Sequence, residues 1–257
     1  MSGFEHHYEM SDNRQTNLYH CTKSSSLINI LKTRYFRYSY CLEEYYMHKK
    51  NRYTLVKLAY AMVCFADLLK EEVNGHMEQF GADSYIVMDK KWAIKNNLSP
   101  VIYTNKDGLP NYAFLSLTKN IKEAIRYGTK EEIIVVNAIE LLRPYFKQYE
   151  GHYFINKTDE PSKESVEFFL EREWRSLPFV KGREHFYLEL EEYLNDDYRN
   201  KAMQELCNHG YRLVFEWDDI LRIGCEEEKK NQILRTIPES FGVNEDEADS
   251  KIMIIQP

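Results

Sequence analysis

Val166-Glu167-Phe168-Phe169-Leu170-Glu171-Arg172-Glu173-Trp174-Arg175 is the run that most limits how this chain can fold. Alternate residues of a strand share a face. One face would carry Val166, Phe168, Leu170, Arg172 and Trp174; the other would carry Glu167, Phe169, Glu171, Glu173 and Arg175. A strand from Ser165 to Phe179 is therefore expected, and Phe168, Phe169 and Trp174 place it inside the domain rather than at an edge. Two carboxylates one strand repeat apart stand roughly 7 Å from each other. They repel, one pKa tends to rise, and Arg175 draws the nearer carboxylate back towards ionised. The same row also fits a solvated charged face with an ordinary ion pair.

The rest of the chain has strands and helices interleaved without strict alternation, which favours α+β over a doubly wound parallel sheet. Asn17 to Thr22 reads as a strand, followed by the cluster Ser24-Ser25-Ser26, which can cap a helix whose apolar face is Leu27, Ile28, Ile30 and Leu31. Residues 35–54 read as an aromatic, charged loop. Tyr60 to Phe65, Ser84 to Met88, Val101 to Tyr103, Leu213 to Phe215, Ile220 to Ile223 and Lys251 to Gln256 are strand candidates. Helices are expected over Lys70 to Phe80, closed by Gly81, and over Lys90 to Lys95, capped by Asp89. Others are expected over Asn111 to Tyr127, within 130–146 with Leu141, Leu142 and Tyr145 inward, over Tyr198 to Asn208, and over Glu226 to Thr236. Asn156 to Lys163 reads as a flexible loop, and Glu239 to Ser250 as an acidic polar stretch. Residues 1–16 read as a mobile segment, and 17–257 as one domain.

Composition excludes several classes. With 34 basic and 41 acidic residues the net charge is −7, so the broad basic face of a passive nucleic-acid binder is not expected. The five cysteines are scattered without a C-x-x-C pair, which points to free thiols in a reducing cytoplasm. MSGFEHHYEMSDNRQ holds no long apolar run, and no window approaches a membrane span. Rossmann, P-loop and nucleophile-elbow motifs are absent from the sequence. The 20 tyrosines suit a concave surface for flat ligands, and equally fit a biased codon usage.

Two further constellations carry polar chemistry. Tyr19-His20-Cys21-Thr22 ends a strand and precedes a helix, so it can offer a ring nitrogen, a hydroxyl and backbone amides to one ligand; it also fits a packed histidine with one hydrogen bond. Cys64, Asp67 and His76 are poorly spaced for a metal and no fourth ligand is evident, so no metal is expected. His76 reads as a packing residue or one that supports its neighbours in the site.

LYHCTKSSSLINIL resembles the opening strand and helix of DarT-type and related ADP-ribosyltransferases. A wider set runs from LYHCT through MVCFADLLKEEVNGHMEQFGADSYIVMDKKWA, SPVIY and FFLEREWRSLPF to VFEWDDILRIGCEEEKK. Over roughly residues 17–236 it resembles the AbiGi family of abortive phage-resistance proteins, often described as the antitoxin member of a two-gene system. The transferase resemblance implies a split β-sandwich of ADP-ribosyltransferase type with peripheral helices around an NAD cleft. His20 and Thr22, with Cys21 between them, would bind NAD as co-substrate; Tyr85 would stack on nicotinamide; Glu173 would be catalytic; Glu171 would orient or activate the acceptor. Arg175, Trp174 and His76 would support the site. An oxocarbenium-like ribose needs a nearby carboxylate, and an acceptor needs a base. Two functions follow: a toxin or effector transferring ADP-ribose to a protein or nucleic acid, or a non-catalytic antitoxin or sensor keeping the fold. A glycohydrolase transferring to water shares the first site.

Overall fold

The computed structural model describes residues 17–49, 52–118, 138–154, 158–178 and 186–255. The strands are β1 (Asn17–Thr22), β2 (Tyr35–Phe36), β3 (Ser39–Lys49), β4 (Arg52–Leu68), β5 (Ser84–Met88), β6 (Ser99–Pro100), β7 (Ile102–Thr104) and β8 (Phe146–Gln148). They continue with β9 (Glu150–Gly151), β10 (Val166–Glu167), β11 (Glu173–Ser176), β12 (Tyr187–Glu189), β13 (Leu213–Val214), β14 (Ile220–Cys225) and β15 (Ile252–Ile254). The α+β expectation holds. One mixed sheet runs in the order β15-β14-β5-β1-β4-β11-β6, with β3 and β12 also paired to β4.

β4 organises this sheet. Near its C-terminal end Ala66 lies opposite both Tyr19 of β1 and Glu173 of β11; near its middle Tyr60 lies opposite both Cys41 of β3 and Tyr187 of β12. Pairing with β1 reaches only Tyr19↔Ala66, and pairing with β3 begins only at Ser39↔Met62. The sheet therefore changes partners between these points.

The helices α1 (Ser24–Thr33) and Glu227–Phe241 cover one face, where Leu27, Leu31, Ile233 and Ile237 are buried with Leu18, Ile86 and Ile223. Helix α2 (Val73–Phe80) covers the other, packing Val73 and Met77 on Tyr19, Ala66, Tyr85 and Val87. On this second face Gly224 of β14 stands opposite Tyr85, and a Cβ at Gly224 would lie 2.2 Å from the Tyr85 ring. The ring occupies the space a side chain would need. Gly224→Ala should therefore cost about 1–3 kcal/mol by overpacking, measured as a shift of the urea midpoint.

Several local expectations meet a different outcome. Ser165 to Phe179 is not one strand: β10 gives way to a 3-10 turn, Phe168–Glu171, and Arg172 adopts a left-handed conformation with φ 45° before β11 starts. Arg172 Nε donates to the Asp67 carbonyl at 2.6 Å and its guanidinium pairs with Glu72, which holds the break in place. Phe169 and Leu170 are consequently exposed while Phe168 is buried. Residues 35–54, read as a loop, instead supply β2, β3 and the start of β4, because pairing along the long β4 overrides their weak local signal.

The serine cluster does not cap α1 with its own side chains; Asp83 does so across the fold, accepting from Ser24 N at 2.5 Å and Ser24 Oγ at 2.8 Å. Within 138–146 helical backbone is short, and Leu141 and Leu142 are exposed while Ile139, Arg143 and Pro144 are buried. The acidic stretch after Glu239 contains a helix, Glu245–Ser250, capped by Asn244. Residues 1–16, the expected helix from Asn111 to Tyr127 beyond Thr118, residues 130–137 of the next expected helix and part of the Asn156 to Lys163 loop fall outside the described residues.

Candidate functional site

The two glutamates come together by a route different from a shared strand face. Glu173 and Arg175 alternate on β11 and face the side of the sheet that carries Ala66 and Cys64. Glu171 ends the 3-10 turn, and the left-handed Arg172 swings it back towards Glu173. Both carboxylates then meet one cation that the sequence did not single out, Lys147 of β8. Its Nζ lies 2.9 Å from Glu173 Oε2, 3.3 Å from Glu171 Oε2 and 3.6 Å from Glu43 Oε1.

Arg175 completes the cluster from beneath. Its guanidinium is fully buried. Nε and Nη2 hold Glu173 at 2.8 and 2.9 Å, Nη1 donates to Glu43 Oε2 at 2.8 Å, and Nη1 also reaches the Pro144 carbonyl. Glu43, Glu171 and Glu173 thus share Lys147, and Glu43 and Glu173 also share Arg175. Three carboxylates face two cations, so a proton on Glu171 balances the cluster.

The protonation preferences follow this arrangement. Burial pushes Glu171 up to about 7, helped by the Glu173 charge and opposed by Lys147. Burial also opposes ionisation of Glu173, but Arg175 and then Lys147 outweigh it and hold this carboxyl well below the usual range. Burial draws the Lys147 pKa down, but Glu173, Glu171 and Glu43 outweigh it and keep the ammonium charged.

This cluster borders a cavity of about 850 Å³. Tyr19, His20, Cys21, His76, Tyr153 and Phe168 also line it. His20 accordingly shares a cavity with the glutamates, but from a different side of the sheet. Glu173 is in register with Ala66 and Tyr19, whereas His20 alternates away from Tyr19 and packs between Phe36 and Phe65, ring centroids 5.1 and 5.4 Å away. Its Nδ1 bonds the Cys64 carbonyl at 2.9 Å, where β1 has parted from β4. Burial holds the imidazole neutral, and it pushes the Cys21 thiol up to about 12.

His76, on α2, packs against Phe80 with centroids 4.7 Å apart, and burial pulls its pKa down to about 4. The remaining candidates lie elsewhere. Thr22 is at the far end of β1 opposite Ser84. Tyr85 is buried edge-on to Tyr19, 5.3 Å between centroids, and against Gly224. Trp174 is opposite Phe65 and packs on the larger core.

Glu43, Lys147 and Tyr153 were missed by sequence reasoning. Glu43 fell in a segment read as loop, and Lys147 just past one read as helix. A faint signal existed in Tyr145-Phe146-Lys147-Gln148-Tyr149, where a single charge is flanked by aromatics. No group of three or more histidine, cysteine or acidic residues among those described is arranged to hold a metal ion. No helix among them is long and apolar enough to cross a membrane.

Fold and site together define a mixed α+β domain with a buried carboxylate–cation cluster at the wall of a cavity of about 850 Å³. The chain belongs to the AbiGi family: residues 34–226 match the family described as "Putative abortive phage resistance protein AbiGi, antitoxin". No curated protein and no solved structure matches it.

Proposed function

We propose that this protein is the antitoxin-side member of an abortive-infection pair, a binding module whose cavity recognises a ligand without consuming NAD. The observation that carries this reading is the engagement of Glu173: Arg175 holds both of its oxygens, and Lys147 holds one of them as well. A carboxylate that steadies a developing oxocarbenium must aim an oxygen at the sugar. Here those directions are taken by cations that are themselves buried. Two other features agree. His20 and Glu173 belong to opposite faces of the sheet, and the lining is rich in carboxylates, which repel a pyrophosphate. The family description supplies the word antitoxin, and with it a partner toxin.

The test has two arms. Co-expression with the toxin gene of the pair should restore growth, and purified chain incubated with NAD should release no nicotinamide by chromatography. Nicotinamide release that disappears in Glu173→Gln would overturn the reading.

A second reading rests on the opposed protonation preferences of Glu171 and Glu173, the pattern of an acid–base pair. In it the protein is an NAD-dependent ADP-ribosyltransferase with a split β-sandwich. Ionised Glu173 would stabilise the ribosyl cation, and Glu171 would take the acceptor's proton. His20 and Cys21, which line the cavity, would hold the adenosine side. With labelled NAD, counts on protein or nucleic acid would favour transfer, and free ADP-ribose would favour hydrolysis.

A further inference from the structure

Glu171 is only 7% exposed, and its Oε1 is buried without a hydrogen-bond partner. An acceptor buried in that state costs about 1–3 kcal/mol. The side chain lines the cavity. So does Tyr153, whose hydroxyl is also buried and unpartnered. Two polar atoms behind one cavity wall thus lack partners, which a ligand could supply once their side chains turn into the cavity.

The surrounding charge says which kind of ligand. Glu43, Glu44, Asp107, Glu150, Glu171 and Glu173 line the cavity against Lys106 and Lys147. Lys147 also displays how this wall treats a cation: besides its carboxylate partners, its Nζ lies 4.3 Å from the centroid of the Phe168 ring and 6.0 Å from that of Tyr153. Carboxylates backed by aromatic faces stabilise a positive group that has left water. An anion placed there would meet carboxylates already in excess of their cations.

We infer that the cavity binds an organic cation, a ligand whose ammonium or guanidinium N–H donates to Glu171 Oε1. The Tyr153 hydroxyl accepts a second N–H, and the carbon chain lies along the aromatic lining. Both head groups are all-donor cations and suit two acceptors that lack donors. The inference deepens the binding-module reading by naming its ligand class. It does not depend on the partner toxin, so a failure of growth rescue leaves it standing.

Titration calorimetry on the full chain at low ionic strength tests it, with 1,4-diaminobutane as the ammonium probe, agmatine as the probe that adds a guanidinium, and adenosine monophosphate as the anion. Saturable binding of one or both cations is expected, with none for the nucleotide, and the two cation arms show which head group is preferred. At pH 8, where the wild-type carboxyl is ionised, Glu171→Gln should weaken binding about tenfold or more, the loss of a contact between opposite charges. Tyr153→Phe should weaken it by a smaller factor, in a protein whose near-ultraviolet circular dichroism matches wild type. Absence of saturable binding by either cation, preference for the nucleotide, or unchanged affinity in Glu171→Gln would overturn the inference. Should Glu171→Gln not fold, unchanged affinity in Tyr153→Phe overturns it.

Discussion

Arg175→Ala is expected to remove about 3–5 kcal/mol of stability. At about 2–4 °C per kcal/mol for a chain of this size, that is a fall in Tm on the order of 10 °C. The guanidinium is fully buried and makes hydrogen bonds to Glu173, Glu43 and the Pro144 carbonyl. Alanine leaves Glu43 and Glu173 in the interior with Lys147 as the cation they share. The loss comes less from the bonds themselves than from charge stranded away from water. Arg34→Ala is the matched control: its pair with Glu216 is solvated on both sides, and such pairs contribute at most about 1 kcal/mol. Scanning calorimetry of both variants decides the point, and equal losses would mean that burial is not the cause.

Glu171→Gln should flatten the dependence of stability on pH between about 5 and 8. The Glu171 carboxyl has its pKa raised by burial to about 7 in the folded chain, against about 4.3 in an unfolded one. Between those values the folded chain holds a proton that the unfolded chain has released. The stabilisation from this group is therefore complete below the unfolded value and is lost as pH rises through the folded one. The full swing is at most about 4 kcal/mol. Glu173 acts with the opposite sign: its depressed pKa contributes stability that is lost only as pH falls into the acid range. Urea unfolding at pH 5.5 and pH 8 should show wild type weakening by about 2 kcal/mol more than the glutamine variant. Parallel curves would mean that Glu171 stays ionised throughout.

Part of this molecule is legible locally. The helix at Lys90–Lys95 follows from Asp89, whose carboxylate accepts from Lys91 N at 2.6 Å, and the end of α2 from Gly81 at φ 58°. These signals need only a few neighbouring residues. Ser84–Met88 is wholly buried and falls where its apolar run ends. Membership of the AbiGi family was likewise visible in the order and spacing of its motifs.

The same sequence misleads where a long-range pairing competes with local pattern. The near-alternation from Val166 to Arg175, broken by Phe169 and Arg172, predicts an unbroken strand, yet Asp67 and Glu72 hold Arg172 in a left-handed turn. Residues 35–49 look irregular alone, and become strands because β4 extends far enough to pair with them.

By itself, then, the sequence determined the α+β class and several caps and strands, and it singled out Glu171 and Glu173. Only the tertiary structure decided what those glutamates are. It brought Glu43 from 128 positions before Glu171 and Lys147 from 24 positions before it to the same ionic cluster, and buried Arg175 beneath them. The physical reason is that an ionised side chain takes its character from the charges around it and from its distance to water. Neither is a property of its neighbours along the chain.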